Sequence, residues 1–456
     1  AGAGTGGSTG DGTGAGASDP AWDAGLAAVL ARVRPPRFPD RDFPIARYGA
    51  RATAAPGVDD GRADARPALL GAIAACAAAG GGTVRVPAGR WRVDGPIHLL
   101  SGVRLHLDDG ATLRFATDPA LYDALVLTRW EGTECWNHSP LVYAWQAHDV
   151  ALTGRGTFDG GAAEGFGTWR ERQRPAQQRL RAMGAEGVPV HARVFGAGHY
   201  LRPSFVQFLG CRNVLVDGPT FVDSPFWVLH PVYASNVVVR DVTVDSRRLN
   251  NDGVDPDSCS DVLVERCTFT TGDDAVAIKS GRDADGWRVG RPTTGVVVRD
   301  CTMPAVHNGV CVGSEMSGGV RDVYVERCTM GAVHGAALYV KANLDRGGTV
   351  ERIRVRDVQV GRTDRLVQFT TAYHGHRGGQ APPTFRDVAI ARVRADRATV
   401  AVDAVGAAEA PLADVRLTDV DVRAAGTPAV VRHVRGLVTE RVRVNGAPLA
   451  LARSAS

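Results

Sequence analysis

Nine short phrases recur through the second half of this chain, and they restrict its fold more than any other feature. They read NVLVDGPTFV (from 213), NVVVRDVTV (236), DVLVERCTF (261), GVVVRDCTM (295), DVYVERCTM (322), RIRVRDVQV (352), DVAIARVRA (387), DVRLTDVDV (414) and GLVTERVRV (436), with starts 22 to 35 residues apart. GVRLHLDDGATLRF (102) and DVALTGRGTFDG (149) are more degenerate members. Apolar and polar residues alternate in each phrase, the mark of a strand with one face on a core, and Gly, Asn or Asp stands near the bends. Such a period, carrying short strands with no helix between them, describes a solenoid whose coils bury their apolar faces only by stacking. TIM-barrel and Rossmann readings fail, because each needs a helix after every strand. The expected fold is all-β, a single-stranded right-handed parallel β-helix.

One column tests this reading. The seventh positions of successive phrases are Val242, Cys267, Cys301, Cys328, Val358, Val393, Val420 and Val442. Small apolar residues stacked in this way belong inside the coil. Cys267, Cys301 and Cys328 are therefore read as buried thiols rather than disulfide or metal partners, and Cys259 and Cys311 take the same reading. Cys76 and Cys135 stand apart, with a spacing that fits no zinc motif. Residues 65–79 have helical composition and end at a Gly cluster, so a capping helix is expected at the open N-terminal end of the solenoid. Residues 161–200 break the period and are read as a lateral insertion with some helix. The Gly/Ala/Ser/Thr run at the start cannot bury apolar surface, so residues 1–40 are read as a flexible tail and 41–456 as one catalytic domain. An opening without Met or an apolar leader, followed by a tether, suits a secreted or periplasmic protein.

The net charge is only +4, with basic residues spread along the chain, which argues against a nucleic-acid partner. No apolar run is long enough to span a bilayer. The outward positions of the phrases are mostly Arg, Asp, Glu and Thr, leaving no apolar stripe for a trimeric fibre, and a monomer is expected. Arginine excess is read as a matter of genome composition. Against it, only two lysines occur, Lys279 and Lys341. In a chain that writes nearly every cation as Arg, a Lys marks a place where a compact ammonium is wanted.

The runs that follow the phrases carry the chemistry. NDGVDPDS (251), DDAVAIKS (273) and HNGVCVGS (307) align without gaps. One column then holds Asn251, Asp273 and His307, and the next holds Asp252, Asp274 and Asn308. Neighbouring strands lie about 4.8 Å apart, so Asp252, Asp273 and Asp274 form one cluster. The next coil, ALYVKAN, brings Tyr339 near the column of Asp255 and Lys341 into the column of Lys279. Three carboxylates so close cannot all ionise easily, and one should hold a proton near neutral pH. A carboxylic acid beside a carboxylate is what glycosidic cleavage requires. A structural Asp/Asn stack at a turn and a calcium site are the competing readings; no metal and no cofactor is expected. His374 and His376 lack acidic or cysteine neighbours and are not read as a metal pair. TRWEGTECWNHSP (128–140) is expected to wall one end of the cleft and favour exo action.

With these motifs assembled, the chain resembles the polygalacturonase-type pectin hydrolases, glycoside hydrolase family 28, over about residues 44–375. SPFWVLHP, NNDGVDPDS, GDDAVAIKSG, VHNGVCVGSEMSGG and LYVKAN are similar to that family's successive signature segments. The resemblance implies a right-handed parallel β-helix and inverting hydrolysis of α-linked galacturonic acid in a polysaccharide or oligosaccharide. It implies Asp273 as general acid, Asp252 and Asp274 as the pair that activates water, and His307 as the active-site His. Lys341 matches the Lys of the family's Arg-Ile-Lys motif, and Lys279 and His230 match positions near the cleft. Two departures stand out. Gly-His-Gly reads Val306-His307-Asn308 here, and Arg-Ile-Lys reads Tyr339-Val340-Lys341. Tyr339 offers a stacking face and one hydroxyl in place of a guanidinium fork, which weakens uronate recognition and leaves a rhamnogalacturonan-type or non-uronate substrate open. Arg282 is the candidate substitute cation. Asn251 and Tyr373 complete the expected substrate contacts. The rival functions are a calcium-dependent polysaccharide lyase and a non-catalytic glycan-binding β-helix.

Overall fold

The computed structural model describes residues 19–51 and 63–450, so the low-complexity stretch 1–18 lies outside the described residues. The phrases stack as a right-handed parallel β-helix. Their pairing follows the repeat register residue for residue: Val237 faces Val262, Val262 faces Val296 and Val296 faces Val323.

The recurrence of Asn, Asp and Gly at phrase starts has a backbone cause. All eleven phrases begin on a residue in the left-handed region, with φ between +51° and +77°. Asn, Asp and Gly tolerate that conformation better than other residues. A second corner follows five residues later, and eight coils in succession place Asp241, Arg266, Asp300, Arg327, Asp357, Arg392, Asp419 and Arg441 there, all with φ of +50° to +57°. The charges alternate up the stack and pair two by two, Arg266 with Asp241, Arg327 with Asp300, Arg392 with Asp357 and Arg441 with Asp419. Part of the arginine excess thus has a structural use at a strained corner.

The inward ladder is as expected: Cys328, Val358, Val393 and Val420 are consecutive partners in the stack, and every member from Val242 to Val442 is buried. All eight cysteines are buried and unpaired. Cys311 is the exception to the expected inward stack. It lies outside the central core, in the column of Ala277 and Tyr339 on the face that carries the acids.

Helix α1 (Pro20–Arg32) corrects the extent of the tail. Its N-cap Asp19 accepts from the backbone of Ala21 and Trp22, and Trp22, Leu26 and Val29 are buried. They pack on Ala151, Leu215, Val238, Leu263, Val297 and Tyr324. These are the outward third positions of successive phrases, so the coil does carry an external apolar stripe. The chain's own first helix covers it, and burying that stripe is what orders residues 19–33. Helix α2 (Arg66–Ala78) buries Leu69, Ala72, Ile73 and Cys76 over the first coil, close to the expected bounds of the cap. In the lateral insertion, helix α3 (Arg174–Ala185) buries Ala176, Leu180 and Gly184. Among the described residues no helix is long and apolar enough to cross a membrane.

A further face of the coil positions the site. It begins with a four-stranded parallel sheet, Ile97–His98, Val142–Trp145, Val206–Leu209 and Leu229–Val232. It continues through Val254, Val276, Val310 and Leu338 on the following coils. An antiparallel hairpin, Leu125–Trp130 with Thr133–His138, lies across the first part of this face. Its Val126 and Leu127 pack on Tyr143, Leu209 and Val232. The hairpin therefore roofs the coils before Asp252 and reaches Asp252's own coil through Arg129 and Asp257.

Candidate active site

At the edge of the roof the open face forms a cavity of about 420 Å³ whose lining includes Asp252, Asp273 and Asp274. One oxygen from each carboxylate lies within 4.8 Å of the others. The column arithmetic of the repeats therefore places them correctly, and local details aim them. Gly253 sits where a Cβ would be 2.5 Å from the carbonyl oxygen of Ala275, and Gly309 where one would be 2.3 Å from that of Ala337. These glycines let coils pack closely under the acids. Between Thr271 and Asp274 the register slips, so Gly272 and Asp273 together oppose His307. This is a β-bulge, which re-aims a side chain at the edge of a ladder; here it is Asp273.

The three acids differ in environment. Asp274 accepts from Lys341 Nζ at 2.8 Å and from Asn308 Nδ2 at 2.7 Å. Burial pushes its pKa up, but Lys341 and Lys279 outweigh burial and hold the carboxyl below its ordinary value. Asp273 accepts one backbone N–H, from Asn250 at 3.1 Å. Burial, and then the charge of Asp274, push it up to about 6. Asp252 is raised by burial and by the charges of Asp255 and Asp273, with Lys279 Nζ 3.9 Å away. Asp255 is fully buried, neither of its oxygens has a hydrogen-bond partner, and Lys279 Nζ is 3.6 Å from it. Burial raises it too. Asp252 and Asp255 therefore titrate as a pair, both carboxyls held above the ordinary range.

A cation would find three oxygens here. The two ammonium groups already stand among them, Lys341 on Asp274 and Lys279 within 3.9 Å of Asp252. Like charges at that range disfavour a divalent ion, so the residues do not fit a calcium site.

The other expected site residues divide. Lys279, Lys341, Arg282 and Tyr373 line the cavity with the acids. Lys279 Nζ also stands 4.3 Å from the ring of Trp227 and 3.2 Å from Glu315. Arg282 is committed, its Nη2 2.6 Å from Glu315 Oε1 and its Nε donating to the Glu131 carbonyl, so it is not a free substitute cation. His307 is exposed on the adjoining strand, outside the cavity lining; its charge opposes burial and draws the Asp273 pKa down. Tyr339 also stays out of the lining. Its ring meets Tyr373 edge-on at 6.3 Å, with Lys341 Nζ 5.1 Å from its centroid.

His230 and Asn251 are corrected from substrate contacts to internal supports, since both are fully buried. Roofed by the hairpin, His230 bonds Gln207 at 3.0 Å and packs edge-on against Trp227. Asn251 donates to the carbonyls of Ser224 and Phe226 and accepts from Ser246 Oγ, holding the turn that presents Asp252.

The segment expected to wall one end, 128–140, lies in the hairpin, but the groups that tie that end together do not show in the sequence. Glu131 at the hairpin tip takes bonds from Gln177 and Arg181 of α3, and Glu315 from Arg282, Lys279 and Ser314. Glu315 lies inside a segment already singled out, GSEMSGG; the α3 residues left no signal. The hairpin is anchored by a fully buried ion pair, Arg129 Nη1 to Asp257 Oδ1 at 2.8 Å. The arrangement provides a proton donor in Asp273, an ionised carboxylate in Asp274 and a cavity closed on one side.

Residues 194–439 match the family described as glycosyl hydrolases family 28. A probable polygalacturonase of Vitis vinifera is 30% identical over 313 residues, 67% of this chain and 58% of that protein. The chain thus spans a little over half of that relative's length. Among solved structures, a hyperthermoactive exopolygalacturonase from Thermotoga maritima is 38% identical with a TM-score of 0.88, covering 93% of this chain and 96% of that one. A polygalacturonase from Erwinia carotovora is 19% identical with a TM-score of 0.67, covering 88% and 98% of the two chains, and shares the fold.

Proposed function

The chain belongs to glycosyl hydrolases family 28, and from that premise we propose that it hydrolyses α-linked galacturonide bonds of pectin-type chains, working from a chain end with inversion. The observation that carries this is one cavity holding a protonatable Asp273, raised to about 6, against an Asp274 kept ionised by Lys341 and Lys279. Asp273 gives its proton to the glycosidic oxygen as the C–O bond breaks. Asp274, with Asp252, takes a proton from the water that attacks the anomeric carbon from the opposite face. Lys341 and Lys279 hold charge on Asp274, and Lys279 Nζ stands 3.9 Å from Asp252. The hairpin and its contacts with α3 close the cavity on one side of the acids; this supports the exo mode. A polymeric substrate that does not cross membranes suits a secreted or periplasmic enzyme.

Carboxylate spacing favours a second reading of the stereochemistry. The 4.8 Å limit is shorter than the roughly 6.5–9.5 Å usual for inverting pairs and nearer the about 5–5.5 Å of retaining ones. That rule describes two carboxylates, whereas here a third allows water to sit on the Asp252–Asp274 pair while Asp273 serves the leaving oxygen alone. Proton NMR of polygalacturonate digestion separates the two. Inversion releases the β-anomer first; early α-anomer would assign Asp274 as a nucleophile. Monogalacturonate as the main early product, with slow loss of viscosity, supports the exo mode, and rapid viscosity loss contradicts it. An unsaturated product absorbing in the ultraviolet, abolished by chelator, would replace hydrolysis by elimination.

The pH dependence follows from Asp273. It must be protonated to act, so kcat/KM falls as pH rises through about 6, approaching tenfold per unit above it. Asp274 must be ionised, and its lowered pKa keeps it so on the acid side. The optimum is therefore acidic. A pH–rate profile peaking above pH 7 would contradict the assignment.

A further inference from the structure

Eight Arg and Lys side chains line the cavity, and seven of them have a carboxylate within 4.0 Å. Arg377 alone has no acidic partner among the described residues. It is exposed, and it sits on a loop that follows the last acid-facing coil, across the acids from the hairpin roof. The loop is built rather than loose. Asp345 accepts the backbone N–H groups of Arg377, Gly378 and Gly379. Asn343 Nδ2 donates to the Gly375 carbonyl at 2.6 Å, and Ala381 N–H bonds the Leu344 carbonyl at 2.8 Å. The flanking His374 and His376 line the cavity and bring no negative charge.

This arrangement answers the departure at Tyr339. The residue standing where the family carries a guanidinium does not reach the cavity lining, and Arg282 is held by Glu315. A galacturonide chain still brings one carboxylate per sugar to the open side. We propose that Arg377 is the specificity-determining cation that binds a substrate carboxylate on that side, in place of the missing arginine. A guanidinium with no internal partner is free to make the paired, planar contact that a carboxylate favours. The inference rests on the galacturonide reading above, and its test separates the two.

Arg377→Ala keeps the backbone N–H that Asp345 accepts, so the loop retains its anchor. With trigalacturonate as substrate, KM rises about tenfold or more, the effect of losing one charge-assisted hydrogen bond, while kcat changes by less than about twofold. With methyl-esterified trigalacturonate, wild type and variant have the same KM. Arg377→Lys recovers part of the loss on the acid substrate. An unchanged KM, or an equal loss on acid and ester, overturns the proposal. If wild type cleaves neither substrate, calorimetric titration of trigalacturonate into Asp273→Asn, with and without Arg377→Ala, decides. Binding that depends on Arg377 keeps the anion site while the hydrolase reading falls; absence of binding in both removes the two together.

Discussion

Asp273→Asn lowers kcat on polygalacturonate by about 10³-fold, within the 10²–10⁴ expected of a positioned general acid. Asn has the same size and its amide oxygen still accepts the Asn250 N–H, so geometry survives and only the proton is lost. The loss shrinks sharply on an aryl galacturonide, whose leaving group departs without protonation. Stability moves the other way. The folded-state pKa of Asp273, about 6, lies above the ordinary value of 3.8, so ionising this group weakens the fold as pH rises through that interval. At pH 7 the Asn variant melts at the same or a higher temperature than wild type. Activity above a tenth of wild type, or an equal loss on activated and natural substrates, would remove Asp273 from the acid role.

Arg129→Met destabilises the protein by about 3–5 kcal/mol, because Asp257 is left charged and dry without its cation. Both side chains are fully buried, and Arg129 also donates to Ser258 Oγ and the Gly132 carbonyl. Adding Asp257→Asn removes the stranded charge, so the double variant recovers most of the loss. Denaturant melts of the two variants check this. A single variant within 1 kcal/mol of wild type, or a double variant no better than the single, would show that the pair does not anchor the hairpin. Since that hairpin is the roof, loosening it also shifts early products from monomer toward longer fragments.

Much of the coil was legible beforehand, for reasons visible in single positions. Val358, Val393 and Val420 stack because parallel pairing repeats one register, and Asp322, Asp387 and Asp414 start their phrases because a left-handed corner recurs there. Asp252 and Asp274 were legible as neighbours by the same rule. Its failures are equally specific. Helix α1 does not show in the sequence because its face is weakly apolar and its partner stripe is spread over six coils. Register places His230 and Asn251 by the acids; that the hairpin and the turn bury them does not show in register. Arg377 had no motif, since it matters through the partner it lacks.

By itself the chain's order determined the stacking of coils and the columns in which the acids and both lysines stand. A local pattern repeated with in-register pairing converts sequence offset into spatial neighbourhood. Only tertiary structure decided how those groups ionise and which end of the groove is shut. These depend on contacts such as Arg129 with Asp257, 128 positions apart, and Arg282 with the Glu131 carbonyl, 151 apart. No period links such residues, and the low-dielectric burial that sets their charges exists only once the hairpin has closed over the face.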